Sequence, residues 1–215
     1  MMRIRWHGHS CFEITDDMTV VTDPHDGHSI GIRKPSAQAD VILVSHEHYD
    51  HNSVRTVDKP GSRIIMKPCQ KNVGEMRIRG FPAFHDESGG AQRGEVTLFK
   101  FNVDGVEFLH LGDLGHRLDE DTLKKIGHVD ILFVPVGGIY TLDAQGAWNV
   151  IREIKPKVAI PMHYKIGGLS LPIGTIDDFT SCAPDKEAVV RVGNEVELCK
   201  DDLPESETEI WVFTL

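Results

Sequence analysis

The residues most able to carry out chemistry lie close together in the first quarter of the chain. The stretch SHEHYDHN starts at Ser45 and puts three histidines and an aspartate into six consecutive positions, directly after the apolar run VILV. Because one residue separates His46 from His48, both side chains project to one face of an extended backbone and can bind one ion. Asp50 and His51 are adjacent, face another way and can serve a second ion.

Three further candidate ligands come from other parts of the chain. The apolar run VEFLHL leads to Asp113, VAIP leads to His163, and His85 lies in the loop FPAFHDESGG. Sites in layered α/β proteins tend to form beyond the C-terminal ends of strands. We therefore predict that His85 joins the first pair of histidines, that His163 joins the second pair of ligands, and that Asp113 bridges the two ions.

This ligand set predicts a hydrolytic centre. Two ions roughly 3.5 to 4 Å apart can hold a bridging hydroxide and polarise a carbonyl or phosphoryl oxygen. Neutral imidazole with carboxylate suits zinc best, and manganese, iron or nickel also fit. We expect hydrolysis of an ester, lactone or phosphoester bond, with Asp50 as the catalytic residue that orients the hydroxide and accepts its proton.

Short strands with a few helices must position these ligands. The hydrophobic patterning predicts helices from about Asp143 to Lys155, from about Asp119 to Ile126 and over Ile176 to Cys182, with a short one opening at Asn52 or Ser53. Strands are predicted at Arg3 to Trp6, Cys11 to Ile14, Met18 to Thr22, Val41 to Val44, Arg63 to Met66, Met76 to Ile78, Glu95 to Val103, Val106 to Leu111, Ile131 to Val134, Val158 to Ile160, Ala188 to Val192, Val196 to Leu198 and Ile210 to Phe213. The mixture predicts one layered α/β domain over residues 1–215, with mixed sheets.

Composition bounds the kind of protein. The 215 residues are 40% hydrophobic and 26% charged, which is typical of a globular domain. The formal net charge of −10 argues against general attraction to nucleic acids or anionic membranes, so a small-molecule substrate is expected. No apolar run reaches 18 residues and the start of the chain does not resemble a signal peptide, which predicts a cytoplasmic protein. Four separated cysteines form no CxxC pair, so a thiolate zinc site is not expected.

The motifs also resemble a known family. The run HEHYDH matches the H-x-H-x-D-H signature of the metallo-β-lactamase superfamily, and His85, Asp113 in HLGD and His163 in PMHY follow in the order of its remaining ligands. The stretches WHGHSCFEI, TDP, HDESGG and HLGDLGH are similar to a branch of small metal-dependent hydrolases related to L-ascorbate-6-phosphate lactonase. The resemblance implies a four-layer αβ/βα sandwich, with two mixed β-sheets face to face, helices outside and a dinuclear zinc-type site at one edge. It assigns the same seven ligands as the spacing.

Four neighbouring residues have two interpretations each. The resemblance implies that Asp23 orients a metal-binding histidine, although a turn before a proline would also account for it. His9 would face the site or form a structural hydrogen bond. His116, three residues past the bridging aspartate, is predicted as a second catalytic residue that contacts substrate or handles a proton, with surface exposure as the alternative. Lys165 could hold an anionic group or be solvated.

Other functions fit the same pattern. The scaffold can hold iron, which makes an iron-dependent oxidoreductase an alternative, although flavodiiron relatives place a carboxylate where this chain has His48. A phosphodiesterase or nuclease also suits two metals, and a non-catalytic metal-binding protein is the last alternative. The sequence identifies neither the substrate nor the oligomeric state.

Overall fold

The computed structural model describes residues 1–184 and 188–215. These ranges contain three α-helices, α1 Glu120–Ile126, α2 Ala144–Ile154 and α3 Ile176–Thr180, and 3-10 turns at His28–Ile30, Val54–Thr56 and Lys200–Asp202. The strands are β1 Met2–Trp6, β2 Phe12–Thr15, β3 Thr19–Thr22, β4 Val41–Leu43, β5 Arg63–Ile65, β6 Cys69–Val73, β7 Met76–Phe84, β8 Glu95–Val103, β9 Val106–His110, β10 Ile131–Pro135, β11 Val158–Met162, β12 Val189–Arg191, β13 Glu195–Leu198 and β14 Glu209–Val212.

The strands form two mixed sheets. The six-stranded sheet has the order β13-β1-β2-β3-β4-β5, and β3, β4 and β5 run parallel. The eight-stranded sheet has the order β12-β14-β11-β10-β9-β8-β7-β6, parallel from β12 to β9 and antiparallel from β9 to β6. Two antiparallel steps separate β7 from β9, so both strands point the same way. The α/β sandwich with two mixed sheets, predicted from the resemblance, is confirmed.

Aromatic side chains fill the space between the sheets. Phe12 of the first sheet lies with its ring centroid 4.4 Å from that of Phe133 in the second, and Trp6 stacks on Tyr164 at 5.4 Å. The outer face of the first sheet packs Val21 and Ile42 against a segment that includes Val57, next to the Val54–Thr56 turn. Within the described ranges this outer cover is a 3-10 turn and loop rather than a regular α-helix.

Two of the predicted helices, α1 and α2, begin and end within one residue of their predicted bounds. Asp143 caps α2 by accepting the Gly146 N–H at 2.8 Å, and Trp148 stacks on Phe179 of α3 at 4.6 Å, which confirms its place in the core. Asp119 caps α1 in the same way. The third helix is shorter than predicted and ends at Thr180, and the predicted helix after Asn52 is the 3-10 turn Val54–Thr56.

Each predicted strand overlaps an observed one, with two corrections. Strand β6, CQKNV, was not predicted, because this largely exposed edge strand has no apolar alternation. Strand β7 runs to Phe84 rather than ending at Ile78, where Gly80 and Pro82 had favoured a loop. Asp104 and Gly105 form the hairpin turn that an Asp-Gly pair favours: both residues have positive φ and join β8 to β9.

None of the helices in residues 1–184 and 188–215 has the length and apolar character needed to cross a membrane. The single domain over residues 1–215 stays a prediction, since residues 185–187 lie outside the described ranges.

Candidate metal centre

Strand ends bring the predicted ligands to one edge of the sandwich. His85 directly follows β7, Asp113 comes three residues after β9 and His163 directly follows β11, and these three strands point the same way. His46 comes three residues after β4, in the facing sheet. His85 thus follows the same rule as the other ligands, which is not apparent from the sequence because β7 is predicted to end at Ile78.

Glycines allow the ligand-bearing loops to approach each other. A Cβ on Gly115 would lie 2.4 Å from the carbonyl carbon of His85, and one on Gly137 would lie 2.1 Å from the carbonyl oxygen of His163. Such contacts are too short for any side chain, so glycine is required at both positions.

His46, His48 and His85 form the first ligand group. A ring nitrogen of each lies within 4.8 Å of the others. Nε2 of His46 is 3.1 Å from Nδ1 of His48, and the rings of His46 and His85 meet edge to face at 4.9 Å. His46 and His85 are buried, whereas His48 is exposed.

Asp50, His51 and His163 form the second ligand group. Their ligand atoms, together with one from His9, also lie within 4.8 Å of one another, and all four residues are buried. Nε2 of His9 is 2.9 Å from Oδ2 of Asp50, so His9 positions this carboxylate. The structure therefore gives His9 both of its predicted features: it lies at the site, and it forms a hydrogen bond there.

Asp113 lies between the two groups. Its Oδ2 is 3.2 Å from Nε2 of His85 in the first ligand group, and 3.2 and 3.1 Å from Nε2 of His51 and of His163 in the second. The same oxygen is 3.7 Å from Nε2 of His46. The structure thus brings all seven predicted ligands together, with Asp113 where a bridging carboxylate would have to be.

Asp23 contacts His51 directly, and His46 through Ser45, on the side of each ring that faces away from the other ligands. Its Oδ2 lies 3.0 Å from Nδ1 of His51 and accepts the Ser45 hydroxyl at 2.7 Å, and its Oδ1 accepts the Ser45 N–H at 2.7 Å. The Ser45 hydroxyl is also 2.8 Å from Nδ1 of His46. A carboxylate on Nδ1 fixes the imidazole so that Nε2 faces the site. This is the orienting role that the resemblance implied for Asp23.

Backbone strain is concentrated here. Six non-glycine residues in the described ranges have positive φ, and three belong to the site: His9 at 54°, Asp23 at 38° and His163 at 54°. The left-handed region is unfavourable for such residues and persists only where the surrounding structure imposes it. The fold therefore holds these side chains in place at a cost in backbone energy.

Burial and charge set the protonation of the site. Burial lowers the pKa of His46 to about 3, and burial followed by the nearby His163 lowers that of His9 to about 3. Burial would also lower the pKa of His51, but the carboxylates of Asp113 and Asp50 outweigh it and raise this pKa well above its ordinary value. The pKa of Asp113, which burial alone would raise, is held well below its usual range by His163 and His51. Asp113 is thus ionised and His46 neutral at neutral pH, and these are the forms that bind a metal ion.

The donor set fits divalent ions. Nε2 of His51 and Oδ1 of Asp113 are buried and form no hydrogen bond within the described residues, although His51 Nε2 lies 3.2 Å from two carboxylate oxygens. Buried polar atoms normally have partners, so these atoms are placed for a ligand. Five imidazoles and two carboxylates around two centres suit zinc, manganese, iron or nickel.

A cavity of about 410 Å³ opens onto the centre. Besides five of the predicted ligands, its walls include Arg93 and Tyr140, with the Arg93 guanidinium carbon 5.4 Å from the Tyr140 ring centroid. Neither residue was predicted from the sequence, because neither belongs to a ligand pattern. In the sequence, the run HDESGG followed by RG was the one signal that pointed to the loop that carries Arg93.

Two other predicted residues have different roles. Nε2 of His116 accepts the Phe84 N–H at 3.1 Å, so Nδ1 carries the proton and donates to the Arg117 carbonyl at 2.7 Å. Both ring nitrogens are thus engaged with backbone, and the geometry lends no support to the predicted catalytic role of His116. The Lys165 amine donates to the carbonyls of Leu169 and Leu171, where it stabilises its own loop rather than an anion.

Comparisons with known proteins agree with this geometry. Residues 3–163 match the model of the β-lactamase superfamily domain. The chain is 32% identical to a UPF0173 metal-dependent hydrolase of Carboxydothermus hydrogenoformans over 191 residues, 76% of this chain and 84% of the relative. A crystal structure from Thermotoga maritima, of a protein proposed to be a Zn-dependent hydrolase of the metallo-β-lactamase superfamily, is similar at a TM-score of 0.80 and 34% identity over 100% of both chains.

A diiron β-hydroxylase from Streptomyces venezuelae is a more distant structural neighbour. It has a TM-score of 0.58 and 12% identity over 75% of this chain and 44% of its own. At that identity the likeness extends to the fold alone.

Proposed function

The chain belongs to the β-lactamase superfamily, and from this premise we propose that it is a metal-dependent hydrolase with a dinuclear centre, most suited to zinc. Its substrate is a small molecule with an ester, lactone or phosphoester bond. The observation that carries the proposal is the position of Asp113, whose Oδ2 lies within 3.2 Å of imidazole nitrogens from both ligand groups. A carboxylate so placed can serve two ions at once.

The residues of the chain have separate tasks in this reaction. When bound, the ions supply Lewis acidity, which lowers the pKa of water and polarises a carbonyl or phosphoryl oxygen. Asp50 lies at the cavity with Oδ2 engaged by His9, which leaves Oδ1 to accept a hydrogen bond from the attacking water. His51 and His9 outweigh the effect of burial and hold the pKa of Asp50 below its ordinary value. Asp50 is therefore ionised at neutral pH, the form that can accept a proton from the attacking water and pass it to the leaving oxygen.

The shape and charge of the molecule favour a small substrate. The cavity of about 410 Å³ lies within the range of small-molecule sites. The net charge of −10 disfavours long polyanions such as nucleic acids. The likeness to L-ascorbate-6-phosphate lactonase, the cytoplasmic location and the absence of nucleic-acid partners stay predictions.

Metal removal and replacement test the proposal. Full-length protein is stripped with a chelator, reloaded with zinc, manganese, iron or nickel, and assayed on a 4-nitrophenyl ester, a lactone and bis-4-nitrophenyl phosphate. We expect hydrolysis of at least one substrate to disappear with the metal and return with it, and Asp50→Asn to reduce it by roughly 10²- to 10⁴-fold. Hydrolysis that persists in fully stripped protein would refute the proposal.

The same assay separates the alternatives. Coloured, iron-containing protein that consumes oxygen would indicate the oxidoreductase. Metal-loaded protein inactive on every substrate would favour a non-catalytic metal-binding protein.

A further inference from the structure

Arg93 lies beside the candidate metal centre and has no carboxylate partner within residues 1–184 and 188–215. The arginines that form ion pairs in residues 1–184 and 188–215 are Arg3, Arg5, Arg77, Arg117 and Arg191. The Arg93 guanidinium also donates no hydrogen bond within those ranges, although the residue is half-buried and lines the cavity together with His85 and Asp113. A guanidinium in such a place has donors that are free to bind a ligand of the cavity.

The loop that carries Arg93 is held firmly. The buried Asp86 carboxylate accepts backbone N–H groups of Ser88, Gly90, Gln92 and Arg93, the last at 2.7 Å. The next residue, Gly94, accepts the His85 N–H at 3.0 Å, which ties the end of the loop to a predicted metal ligand. The position of Arg93 relative to the centre is therefore set by the backbone.

Tyr140 restricts the side chain from the opposite wall. Its ring centroid lies 5.4 Å from the guanidinium carbon, within the range of a cation–π contact. The loop before it is strained, because Ile139 is β-branched and has a φ of 61°. An arginine held by an aromatic ring keeps the edge of its fork available for two parallel hydrogen bonds to a planar or tetrahedral anion.

The net charge of the chain indicates a role for Arg93 in binding anions. A chain with a net charge of −10 repels anionic small molecules, so binding one requires a local cation. The lining carboxylates, Asp50 and Asp113, are each within 3.2 Å of a ligand histidine and do not neutralise Arg93.

We propose that Arg93, backed by Tyr140, binds an anionic group of the substrate, a carboxylate or a phosphate, at a distance from the bond that is hydrolysed. The inference rests on the proposed function, since it assigns a substrate class to the same cavity. It makes the natural substrate an ester or lactone that also carries a negative charge.

Matched probes test this by calorimetry on metal-loaded, full-length protein. Succinate, glutarate and adipate are compared with butyrate, valerate and hexanoate, which have the same chain lengths but one carboxylate. We expect at least one dicarboxylate to bind roughly tenfold more tightly than its partner, with one end at the metals and the other at Arg93. A titration with 3-phosphonopropionate extends the test to phosphate-like anions, and the larger gain identifies the preferred anion.

Variants locate the preference. Arg93→Met keeps the aliphatic stem and should bring the dicarboxylate to the affinity of the monocarboxylate, and Arg93→Lys should restore only part of the gain. Tyr140→Leu should weaken the preference without removing a charge. Arg117→Met is the matched control, because it removes a positive charge from a neighbouring groove and should leave the preference intact. Metal content and melting temperature confirm that each variant is folded.

The outcomes separate this inference from the proposed function. Equal binding within every pair, or a preference that survives Arg93→Met, would overturn the anion site even if the protein hydrolyses neutral esters. A preference that Arg93→Met removes supports the anion site. If the unaltered protein shows this preference but hydrolyses none of the substrates, the proposed function alone fails.

Discussion

The two ligand groups of the centre differ in how the protein supports them. The second ligand group is entirely buried, with Asp23 on the far nitrogen of His51 and His9 on Asp50. The first ligand group includes the exposed His48, and within the described residues the Ser45 hydroxyl is the one partner of the His46 Nδ1. Partners behind the ligands raise metal affinity, so the second position should hold its ion more tightly and the first should exchange more readily.

Loss of Asp113, the ligand that both groups share, should weaken metal binding at both positions. Asp113→Ala removes the oxygen that lies within 3.2 Å of imidazoles from both sides. We expect bound metal to fall below one ion per chain, and hydrolysis to fall by more than the roughly 10- to 100-fold typical of changes behind the ligands. Elemental analysis and the substrate panel measure both. Asp119→Ala, which removes a helix cap, is the control and should keep its metal; two ions retained by Asp113→Ala would exclude a bridge.

Removal of the exposed ligand should affect one group only. His48→Ala should reduce the metal content from two ions to one, with little change in stability because the side chain is exposed. Glu47→Ala, the exposed neighbour, should keep both ions. If His48→Ala binds as much metal as the unaltered protein, the first ligand group is assigned incorrectly.

The residues behind the ligands should produce a smaller, graded difference. Asparagine tolerates the positive φ of 38° at this position, but Asp23→Asn removes the negative charge beside His51. Affinity for the more tightly held ion should therefore drop roughly 10- to 100-fold. Ser45→Ala removes the hydroxyl behind His46 and should change affinity by less than about tenfold. Competition with a chromogenic chelator measures each constant, and equal effects of the two changes would contradict the asymmetry.

A buried histidine outside both groups should affect the stability of the protein rather than its metal content. Burial lowers the pKa of His25 to about 4, with Nε2 held 3.0 Å from the His7 carbonyl. Between about pH 6.5 and 4 the unfolded chain takes up a proton that folded His25 does not, so the free energy of unfolding falls as the pH drops through this window. The contribution is about 3 kcal/mol.

Denaturation of metal-free protein at several pH values, compared with His25→Gln, measures this slope. The variant should lose part of the acid sensitivity; an unchanged slope would assign it to the ligand histidines instead.

The sequence predicted the cluster of candidate metal ligands better than its surroundings. The ligands were predictable because imidazoles and a carboxylate at this spacing are typical of metal sites, and because apolar runs mark most of the strands that precede them. Ligation also needs several side chains at once, so each loop supports the interpretation of the others. Asp23 was placed correctly through the resemblance to a known family.

What the sequence did not predict depends on contacts between distant segments. The hydrogen bond from His9 to Asp50 joins residues 41 positions apart, and no local pattern indicates it. Arg93 becomes notable only when the structure shows that none of the described residues gives it a carboxylate partner. Gly80 and Pro82 locally favour a loop, so the sequence did not predict that β7 continues to Phe84. Pairing with β8 overrides that local tendency. His116 has a position in the sequence that suggested catalysis, but its ring nitrogens are used by backbone.

The most direct test of the two-ion centre is a crystal structure of the metal-loaded protein with anomalous data collected at the zinc edge. We predict two peaks roughly 3.5 to 4 Å apart with an Asp113 oxygen between them, one at each ligand group. A single peak in catalytically active crystals, or two peaks without Asp113 between them, would contradict the account.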